Sequence, residues 1–287
     1  MDSGKLLKKI SAAPAALILA RSFYEVRHIK VTDYSVSSDK LPKGTKLKIV
    51  YLTDLHSRKY GRNNKKLLSL IAGQRPDLIL IGGDMITASD ERGESDVYSF
   101  LKKLPKIAPT YYAVGNHEEY LKVKPEYYGR FLNLKRLLKK SGIVLLDNKR
   151  IDIGNNISLY GLEISRSYYR RFNKKKPKPE YMDFYLGKPD KDRYNILLAH
   201  TPEFFDVYKS RKPDLVLSGH YHGGIIRLPG FGGVISPSFK LFPEYSAGKF
   251  KKGDTYLIVS AGCGTHGINF RLFNRPEVIA VELSSEA

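Results

Sequence analysis

The sequence is poor in sulfur and lacks tryptophan: its 287 residues include one cysteine, three methionines and no Trp. The single thiol, Cys263, excludes an intramolecular disulfide and any metal site built on several thiolates. A metal site in this chain must therefore use histidine, aspartate, glutamate or asparagine. Acidic residues are also scarce, since 29 Asp and Glu stand against 49 Lys and Arg, a formal net charge of +20. That excess favours an anionic partner: a phosphorylated substrate, a nucleic acid or a membrane surface.

The N-terminal segment has an apolar run that is too short to cross a membrane as a helix. Residues 10–20 are eleven mostly apolar positions between Lys9 and Arg21, whereas a spanning helix needs about 20. Three interpretations stay open: the core of a signal peptide ending at Ala20, an anchor in the membrane interface, and an ordinary helix packed on the domain. The basic flanks favour membrane contact.

From residue 46 onward the pattern is regular, so we divide the chain into an N-terminal segment, 1–45, and one domain, 46–287. Apolar and β-branched runs predict strands at residues 47–53, 78–83, 110–114, 157–163, 195–200, 214–219, 256–262 and 278–283. Helical patterns cover 64–74 and 130–142. Strand, helix and strand in the first half imply a sheet that is buried on both faces. The closely spaced strands of the second half imply a mixed or second sheet.

One basic, tyrosine-rich segment, residues 165–193, interrupts this pattern. It contains ten Lys and Arg and six aromatic residues. It is either a solvated loop or a contact surface, because aromatic and basic side chains together suit a lipid headgroup region or a cap over an anionic substrate.

Side chains that can bind metals follow five of the predicted strands. They are Asp54 and His56, then Asp84, then Asn116, His117 and Glu118, then His200, and finally His220 with His222. Five of the seven histidines lie in these clusters. The carboxyl ends of strands in an open α/β sheet form its binding crevice, so chance is a poor explanation for this placement.

The donor types restrict the metal chemistry. Imidazole nitrogen with carboxylate or amide oxygen suits Mn, Fe, Zn, Ni or Co. Without His117 and Glu118 the donors number seven, more than one ion needs if it also keeps positions for water and substrate. Two ions that share a carboxylate would use all seven, and two-metal sites serve displacement at phosphorus.

The ordered series Asp-x-His, Gly-Gly-Asp, Gly-Asn-His-Glu, a strand-end His and Gly-His-x-His resembles the calcineurin-like metallophosphoesterase superfamily. The stretches 219-GHYHGGIIRLPG-230 and 260-SAGCGTHGINFRLFNRPEV-278 are similar to a bacterial branch of it. Members of that branch are often exported or membrane-attached, and some hydrolyse UDP-2,3-diacylglucosamine. The resemblance implies an α/β fold with two mixed β-sheets packed face to face and flanked by helices.

The resemblance also implies a role for each motif residue. It implies two divalent ions, with Mn favoured and Fe, Zn, Ni or Co as alternatives, held by Asp54, His56 and His222 on one side, by Asn116, His200 and His220 on the other, and by Asp84 between them. His117 would stabilise the transition state or protonate the leaving oxygen, and Glu118 would support its neighbours. Arg271 and His266 are candidate substrate contacts, with an ordinary structural role as the alternative for each.

These residues predict a phosphoesterase that cleaves a phosphodiester, phosphomonoester or pyrophosphate by hydroxide activated between the ions. We expect a lipid-linked or nucleotide-containing substrate. The alternatives are a nucleotide or nucleic-acid phosphodiesterase, although no nucleic-acid module accompanies the domain, and a non-catalytic scaffold, which the intact ligand set disfavours. We expect membrane association or export, with a cytoplasmic location as the alternative. The sequence implies an anionic phosphorylated substrate and no protein partner.

Overall fold

The computed structural model of the protein describes residues 3–91, 93–154, 156–169, 175–237, 239–265 and 267–286. Within these residues the α-helices are α1 (Ser3–Glu25), α2 (Lys65–Gly73), α3 (Glu94–Leu101), α4 (Asn116–Val123), α5 (Pro125–Ser141), α6 (Pro179–Leu186) and α7 (Phe205–Lys209). The strands are β1 (Lys30–Ser38), β2 (Lys46–Leu52), β3 (Leu78–Ile81), β4 (Thr110–Ala113), β5 (Val144–Leu146), β6 (Lys149–Ile153), β7 (Ile157–Leu162), β8 (Tyr194–Ala199), β9 (Leu215–Ser218), β10 (Ile226–Leu228), β11 (Gly232–Ile235), β12 (Gly248–Lys252), β13 (Thr255–Val259) and β14 (Glu277–Ser285).

Two six-stranded mixed sheets carry the fold. The first has the order β1-β14-β2-β3-β4-β5, and the second has the order β12-β13-β9-β8-β7-β6. In the first sheet β2, β3, β4 and β5 are parallel, while β14 runs antiparallel to β2. In the second, β7, β8, β9 and β13 are parallel. The parallel strands of each sheet therefore end at a common edge, where their loops can form one site.

Strand β2 shows how the sheets stack. Successive side chains of a strand point to opposite faces. Ile49 and Tyr51 accordingly enter the apolar cluster between the two sheets, which also contains Leu198 of β8. Val50 and Leu52 enter the cluster on the outer face of the first sheet. A strand buried on both faces needs a continuous apolar run, which is why this strand is visible in the sequence.

Helices cover both outer faces. Leu67 of α2 and Leu134 of α5 pack in the outer cluster of the first sheet. Met182 of α6 and Phe205 of α7 pack with Val216 of β9 on the outer face of the second. The layers run helix, sheet, sheet, helix. The predicted fold class is confirmed.

The eight predicted strands and both predicted helices are present, with ends that differ by a few residues. The structure differs at the N-terminal boundary, because residues 30–38, grouped with the lead-in, form β1 and pair in parallel with β14. Strand β1 is a sheet edge that alternates polar and half-buried positions, so it lacks the apolar run that reveals a central strand. Helix α4 is also absent from the predicted elements, because its first residues, 116–118, are interpreted as a ligand motif.

The segment 165–193 is partly ordered against the domain. It begins with a 3₁₀ turn, Arg166–Tyr169, and continues into α6, whose Met182 and Leu186 are buried. The basic residues 170–174 lie outside the described residues. The 3₁₀ turn and the buried face of α6 therefore belong to the packed structure, whereas residues 175, 176, 187 and 188 are exposed.

Helix α1 combines a packed end with an exposed middle. Among the described residues, no helix has both the length and the apolar character needed to cross a membrane. Ser22 and Glu25 in its last turn are buried, whereas Leu17 and Leu19 are exposed. The end of α1 packs on the domain, and its preceding turn presents apolar side chains outward.

Candidate metal centre

Donor side chains meet where strands β2, β3, β4, β8 and β9 end. Three sets of donor atoms each lie within 4.8 Å of one another: Asp54, His56 and His222; His56, Asp84 and His117; and Asp84, His200 and His220. We call the first set the Asp54 group and the third the His200 group. His56 and Asp84 each belong to two sets, so the three sets form one continuous cluster. The topology brings together six of the seven predicted ligands.

The seventh predicted ligand, Asn116, is the first residue of α4. The backbone N–H of the next residue, His117, donates to Asp84 Oδ1 at 2.8 Å, which places the start of α4 against the cluster. The side-chain oxygen of Asn116 is buried and has no hydrogen-bond partner within the described ranges. Buried polar atoms are normally partnered, so this oxygen has the environment of a cation ligand.

The imidazoles converge on the carboxylates through their Nε2 atoms. His200 Nε2 lies 3.0 Å from Asp84 Oδ2, and His222 Nε2 lies 3.3 Å from Asp54 Oδ1. The opposite nitrogen of His200 contacts the carbonyl of Gly82 at 2.8 Å. A hydrogen bond from Nδ1 to a carbonyl orients the ring and leaves the Nε2 lone pair for a metal. The site thus presents oriented nitrogen donors beside two buried carboxylates.

The backbone at this site is held in an uncommon conformation. Five donor residues have φ between 47° and 67°, in the left-handed region: Asp54, His56, Asp84, His220 and His222. Residues other than glycine rarely adopt this region, and they do so mainly where surrounding structure enforces it at functional sites. The sharp turns after β2, β3 and β9 aim the side chains inward instead of continuing the strands.

Two glycines let these turns approach each other. A Cβ on Gly115 would collide with Asp84 Oδ1, and one on Gly219 would collide with Asp54 Oδ2. Both glycines immediately precede predicted ligands, so the Gly-Asn-His-Glu and Gly-His-x-His motifs need glycine for close packing.

Burial and charge set the protonation of the cluster. Burial lowers the pKa of His56 to about 3, and it lowers that of His220 to about 3 as well. Burial alone would raise the pKa of the Asp84 carboxyl, but neighbouring imidazoles, His200 first, hold it below its ordinary range. Burial would lower the pKa of His200, but the Asp84 carboxylate outweighs it and raises the pKa to about 10. The imidazoles of His56 and His220 are therefore neutral, whereas His200 holds a proton beside Asp84 that a bound cation would displace. Such donors beside buried carboxylates suit divalent cations.

A buried carboxylate, Glu118, supports the turn that carries Asp84. It accepts hydrogen bonds from the backbone N–H groups of Asp84 at 2.7 Å, Met85 at 2.9 Å and Gly115 at 3.0 Å. The hydroxyl of Tyr112 donates to it at 2.8 Å. Glu118 thereby ties the loop after β3 to the loop after β4. This contact is the supporting role expected from the sequence.

A buried guanidinium, Arg271, supports the turn that carries His222. The side chain is 2% exposed and donates to the carbonyls of Ala261 at 2.7 Å, Gly264 at 2.5 Å and His222 at 3.3 Å. Its donors are turned to backbone oxygens behind the ligand and not to the surface. The predicted substrate contact of Arg271 stays a prediction, and its placement supports a positioning role for His222.

One further residue, Tyr169, borders the cluster. The Tyr169 ring, at the end of the 3₁₀ turn, lies 5.1 Å from the His220 ring between centroids. The turn is fixed by a hydrogen bond of 3.0 Å from the Arg166 N–H to Glu119 Oε1 of α4. The aromatic residues of the segment 165–193 indicate a possible contact surface in the sequence, but no sequence motif identifies Tyr169 as the residue next to the cluster. His266, the other predicted substrate contact, lies outside the described residues.

Comparison with known proteins was made for both sequence and structure. The family model described as calcineurin-like phosphoesterase matches residues 47–224. An uncharacterized metallophosphoesterase of Aquifex aeolicus is 28% identical over 279 residues, which are 95% of this chain and 98% of that protein. The phosphodiesterase YaeI of Escherichia coli is 29% identical over 239 residues, 82% of each chain.

A third relative and a solved structure extend the comparison. An uncharacterized metallophosphoesterase of Campylobacter jejuni is 32% identical over 250 residues, 84% of this chain and 60% of that protein. The crystal structure of TT1561 from Thermus thermophilus superposes with a TM-score of 0.46 at 14% identity, covering 76% of this chain and 90% of that one.

Proposed function

The chain belongs to the calcineurin-like phosphoesterase family and is a metal-dependent hydrolase, and we propose that it cleaves phosphoric esters with two divalent cations. The observation that carries the proposal is the position of Asp84. Its carboxylate belongs to the His200 group and also to the set formed with His56 and His117, as a carboxylate shared by two cations would. The total of seven donors exceeds what one ion could use.

The chain's own residues define where the cations would bind. The Asp54 group would hold one cation, the His200 group with Asn116 would hold the other, and the Asp84 carboxylate would contact both. We expect Mn, with Fe, Zn, Ni or Co as alternatives, since nitrogen and oxygen donors without thiolate suit these ions. When bound, such cations acidify a water molecule and neutralise charge on the phosphate.

We expect His117 to handle a proton at the leaving oxygen. Its side chain is 18% exposed and its Nε2 lies 4.0 Å from Asp84 Oδ2, so it borders the cluster while a substrate can reach it. The ring meets that of His56 edge to face, with centroids 4.9 Å apart. A partly exposed imidazole beside the ligands suits a general acid better than a further ligand.

We expect a phosphodiester or pyrophosphate that is lipid-linked or contains a nucleotide. The net charge of +20 favours an anionic substrate, and a relative that this chain resembles over most of its length is named a phosphodiesterase. The two alternatives are a nucleotide or nucleic-acid phosphodiesterase and a non-catalytic scaffold. The complete donor set and the placement of His117 argue against the scaffold.

The test is a substrate screen with protein loaded separately with each of the five metals. Phosphomonoesters, phosphodiesters and nucleotide–lipid pyrophosphates would be compared, with Asp84→Asn as the inactive control. We expect Mn-loaded protein to hydrolyse a diester, and we expect the control to lose at least about a hundredfold in rate. Loaded, folded protein that hydrolyses none of these esters with any of the metals would overturn the proposal.

A further inference from the structure

Exposed apolar side chains are concentrated in three segments of this protein. Of the sixteen large apolar side chains exposed in the described residues, twelve lie in residues 17–24, residues 228–237 with 239–242, and residues 268–273. We call these three segments the apolar rim. Phe231, at 83% exposed, is the most exposed of them. An apolar concentration of this kind on a protein surface indicates a contact site, whereas single exposed residues do not.

Direct contacts join the three segments into one surface. The Arg21 guanidinium carbon of α1 lies 5.5 Å from the centroid of the Phe273 ring. The backbone N–H of Arg227 donates to the carbonyl of Leu272 at 3.0 Å. One surface cavity is lined by Phe231 of the second segment and Phe273 of the third. The rim is therefore continuous from α1 to the hairpin of β10 and β11.

The charge of the rim is positive. Residues 14–27, 225–242 and 267–275 contain one acidic residue, Glu25, and it is fully buried. Two acids border them: Glu244 lines the cavity of Phe231, and Glu203 pairs with Lys240 at 2.9 Å. The basic residues of these stretches that are at least partly exposed are Arg21, Arg27, Arg227, Lys240 and Arg275. A second copy of this chain would present like charge to like charge and would be repelled. An anionic bilayer offers apolar depth together with negative headgroups, which matches both properties of the rim.

We propose that the apolar rim seats the protein on the surface of an anionic lipid bilayer. The helix α1 then lies in the interface with its exposed apolar turn toward the lipid, and its basic residues meet the headgroups. Aromatic side chains such as Phe23, Phe231 and Phe273 suit the boundary between headgroups and acyl chains. This contact is a docking of the folded surface and needs no spanning segment.

The rim adjoins the candidate metal centre. Lys240 Nζ lies 3.3 Å from the hydroxyl of Tyr221, which stands between the donors His220 and His222. The Asn274 amide donates to the carbonyl of His222 at 2.7 Å. Seating the rim on a bilayer would bring the centre to the depth of lipid phosphates. Resting on the proposed function, this placement favours a lipid-linked phosphoester over a soluble nucleotide as the substrate.

Vesicle co-sedimentation of the full chain tests the proposal. The probes are vesicles of phosphatidylglycerol with phosphatidylcholine and vesicles of phosphatidylcholine alone. We expect binding to the anionic vesicles that falls as salt rises, and a double variant, Phe231→Ser with Phe273→Ser, that binds about tenfold less. The matched control is Tyr128→Ser, which removes an aromatic ring that is 46% exposed on α5 and should bind as the wild type does.

Three outcomes would overturn the proposal. The first is wild-type protein that does not bind anionic vesicles at low salt. The second is a folded double variant, checked by circular dichroism, that binds as well as the wild type. The third is a concentration-dependent dimer in sedimentation velocity that the double variant abolishes, because it would assign the rim to a second copy.

The binding assay is independent of turnover. Asp84→Asn should sediment with anionic vesicles as the wild type does, since Asp84 is 2% exposed and is not one of the exposed side chains of the rim. Vesicle binding without hydrolysis of any ester would contradict only the proposed function. Hydrolysis without vesicle binding would contradict only the proposal that the rim binds a bilayer.

Discussion

The two donor groups are supported by buried side chains of opposite charge. Behind the turn that carries Asp84, the Glu118 carboxylate accepts from backbone N–H groups. Behind the turn that carries His222, the Arg271 guanidinium donates to backbone carbonyls. Backbone N–H groups face Glu118 and therefore need an acceptor, whereas backbone carbonyls face Arg271 and therefore need a donor. Both side chains stabilise turns in the left-handed region, which need surrounding contacts to persist.

Glu118 and Arg271 are held in place by different parts of the fold. Glu118 belongs to α4, the helix that also begins with Asn116, so that support is local. Arg271 depends on the N-terminal helix, because its backbone N–H donates to Ser22 Oγ at 3.1 Å and Glu25 accepts from the Asn274 N–H at 2.8 Å. A change at the end of α1 should therefore reach the Asp54 group and leave the His200 group unaffected.

The largest loss of turnover is expected from a substitution at His117, which leaves Glu118 and Arg271 unchanged. His117→Ala should keep the full metal content but lower turnover by about 10²–10⁴-fold, because the proposed general acid is removed. The loss should be greater for alkyl esters than for nitrophenyl esters, whose leaving groups need less protonation. The measurement is kcat on both esters together with metal analysis. An equal loss on the two esters would contradict the acid role of His117.

Replacing the anionic support tests the His200 group. In Glu118→Gln an amide NH₂ replaces an oxygen acceptor and faces backbone N–H groups that need acceptors. We expect metal affinity to fall by about 10–100-fold, as shown by cobalt titration followed by absorption. The loss should be largest at the site of the His200 group, because Glu118 shares helix α4 with Asn116, and smaller at the other site, which shares only Asp84. Glu126→Gln, an exposed change on the neighbouring helix α5, is the matched control. A titration identical to that of the wild type would show that Glu118 does not position Asp84.

Replacing the cationic support tests the Asp54 group. Arg271→Lys keeps the charge, but its ammonium cannot reach the carbonyls that the planar guanidinium joins. We again expect a loss of about 10–100-fold in affinity at one site, with a cobalt spectrum different from that of Glu118→Gln. Arg136→Lys on the exposed face of α5 controls for loss of an arginine. Identical spectra for the two support variants would mean that the groups are not held separately.

The smallest loss of metal affinity is expected from weakening the contact between Glu25 and the Asn274 N–H. Glu25→Gln keeps an acceptor for the Asn274 N–H but loses the charge that meets Arg21 Nε at 2.6 Å. Affinity at the site weakened by Arg271→Lys should fall by less than about tenfold, since one hydrogen bond is weakened and not removed. The site of the His200 group, which Glu118→Gln weakens most, should be unaffected. A loss at both sites would break the proposed dependence on α1.

The difference between the supports also explains what the sequence could predict. The donors were predictable because each follows a strand within a few residues, as Asp54 follows β2 and Asp84 follows β3. The role of Glu118 was predictable for the same reason, since it adjoins the ligands in the chain. The burial of Arg271 was not, because its partner Ser22 is 249 residues away and α1 has to fold onto the loop first.

Strand β1 and Tyr169 show two further limits. Polar edge strands such as β1 pair through their backbone, and their side chains give no apolar run to detect. Tyr169 reaches His220 only through the fold of its segment against α4. In both cases the determinant is a long-range contact that short patterns do not encode.

The metal content of the wild-type protein tests the central claim most directly. Protein purified without chelators and saturated with Mn would be freed of excess metal and analysed by mass spectrometry of the elements. The arrangement of Asp84 between two donor sets predicts about two ions per chain. A single ion per chain at full occupancy would contradict the dinuclear centre.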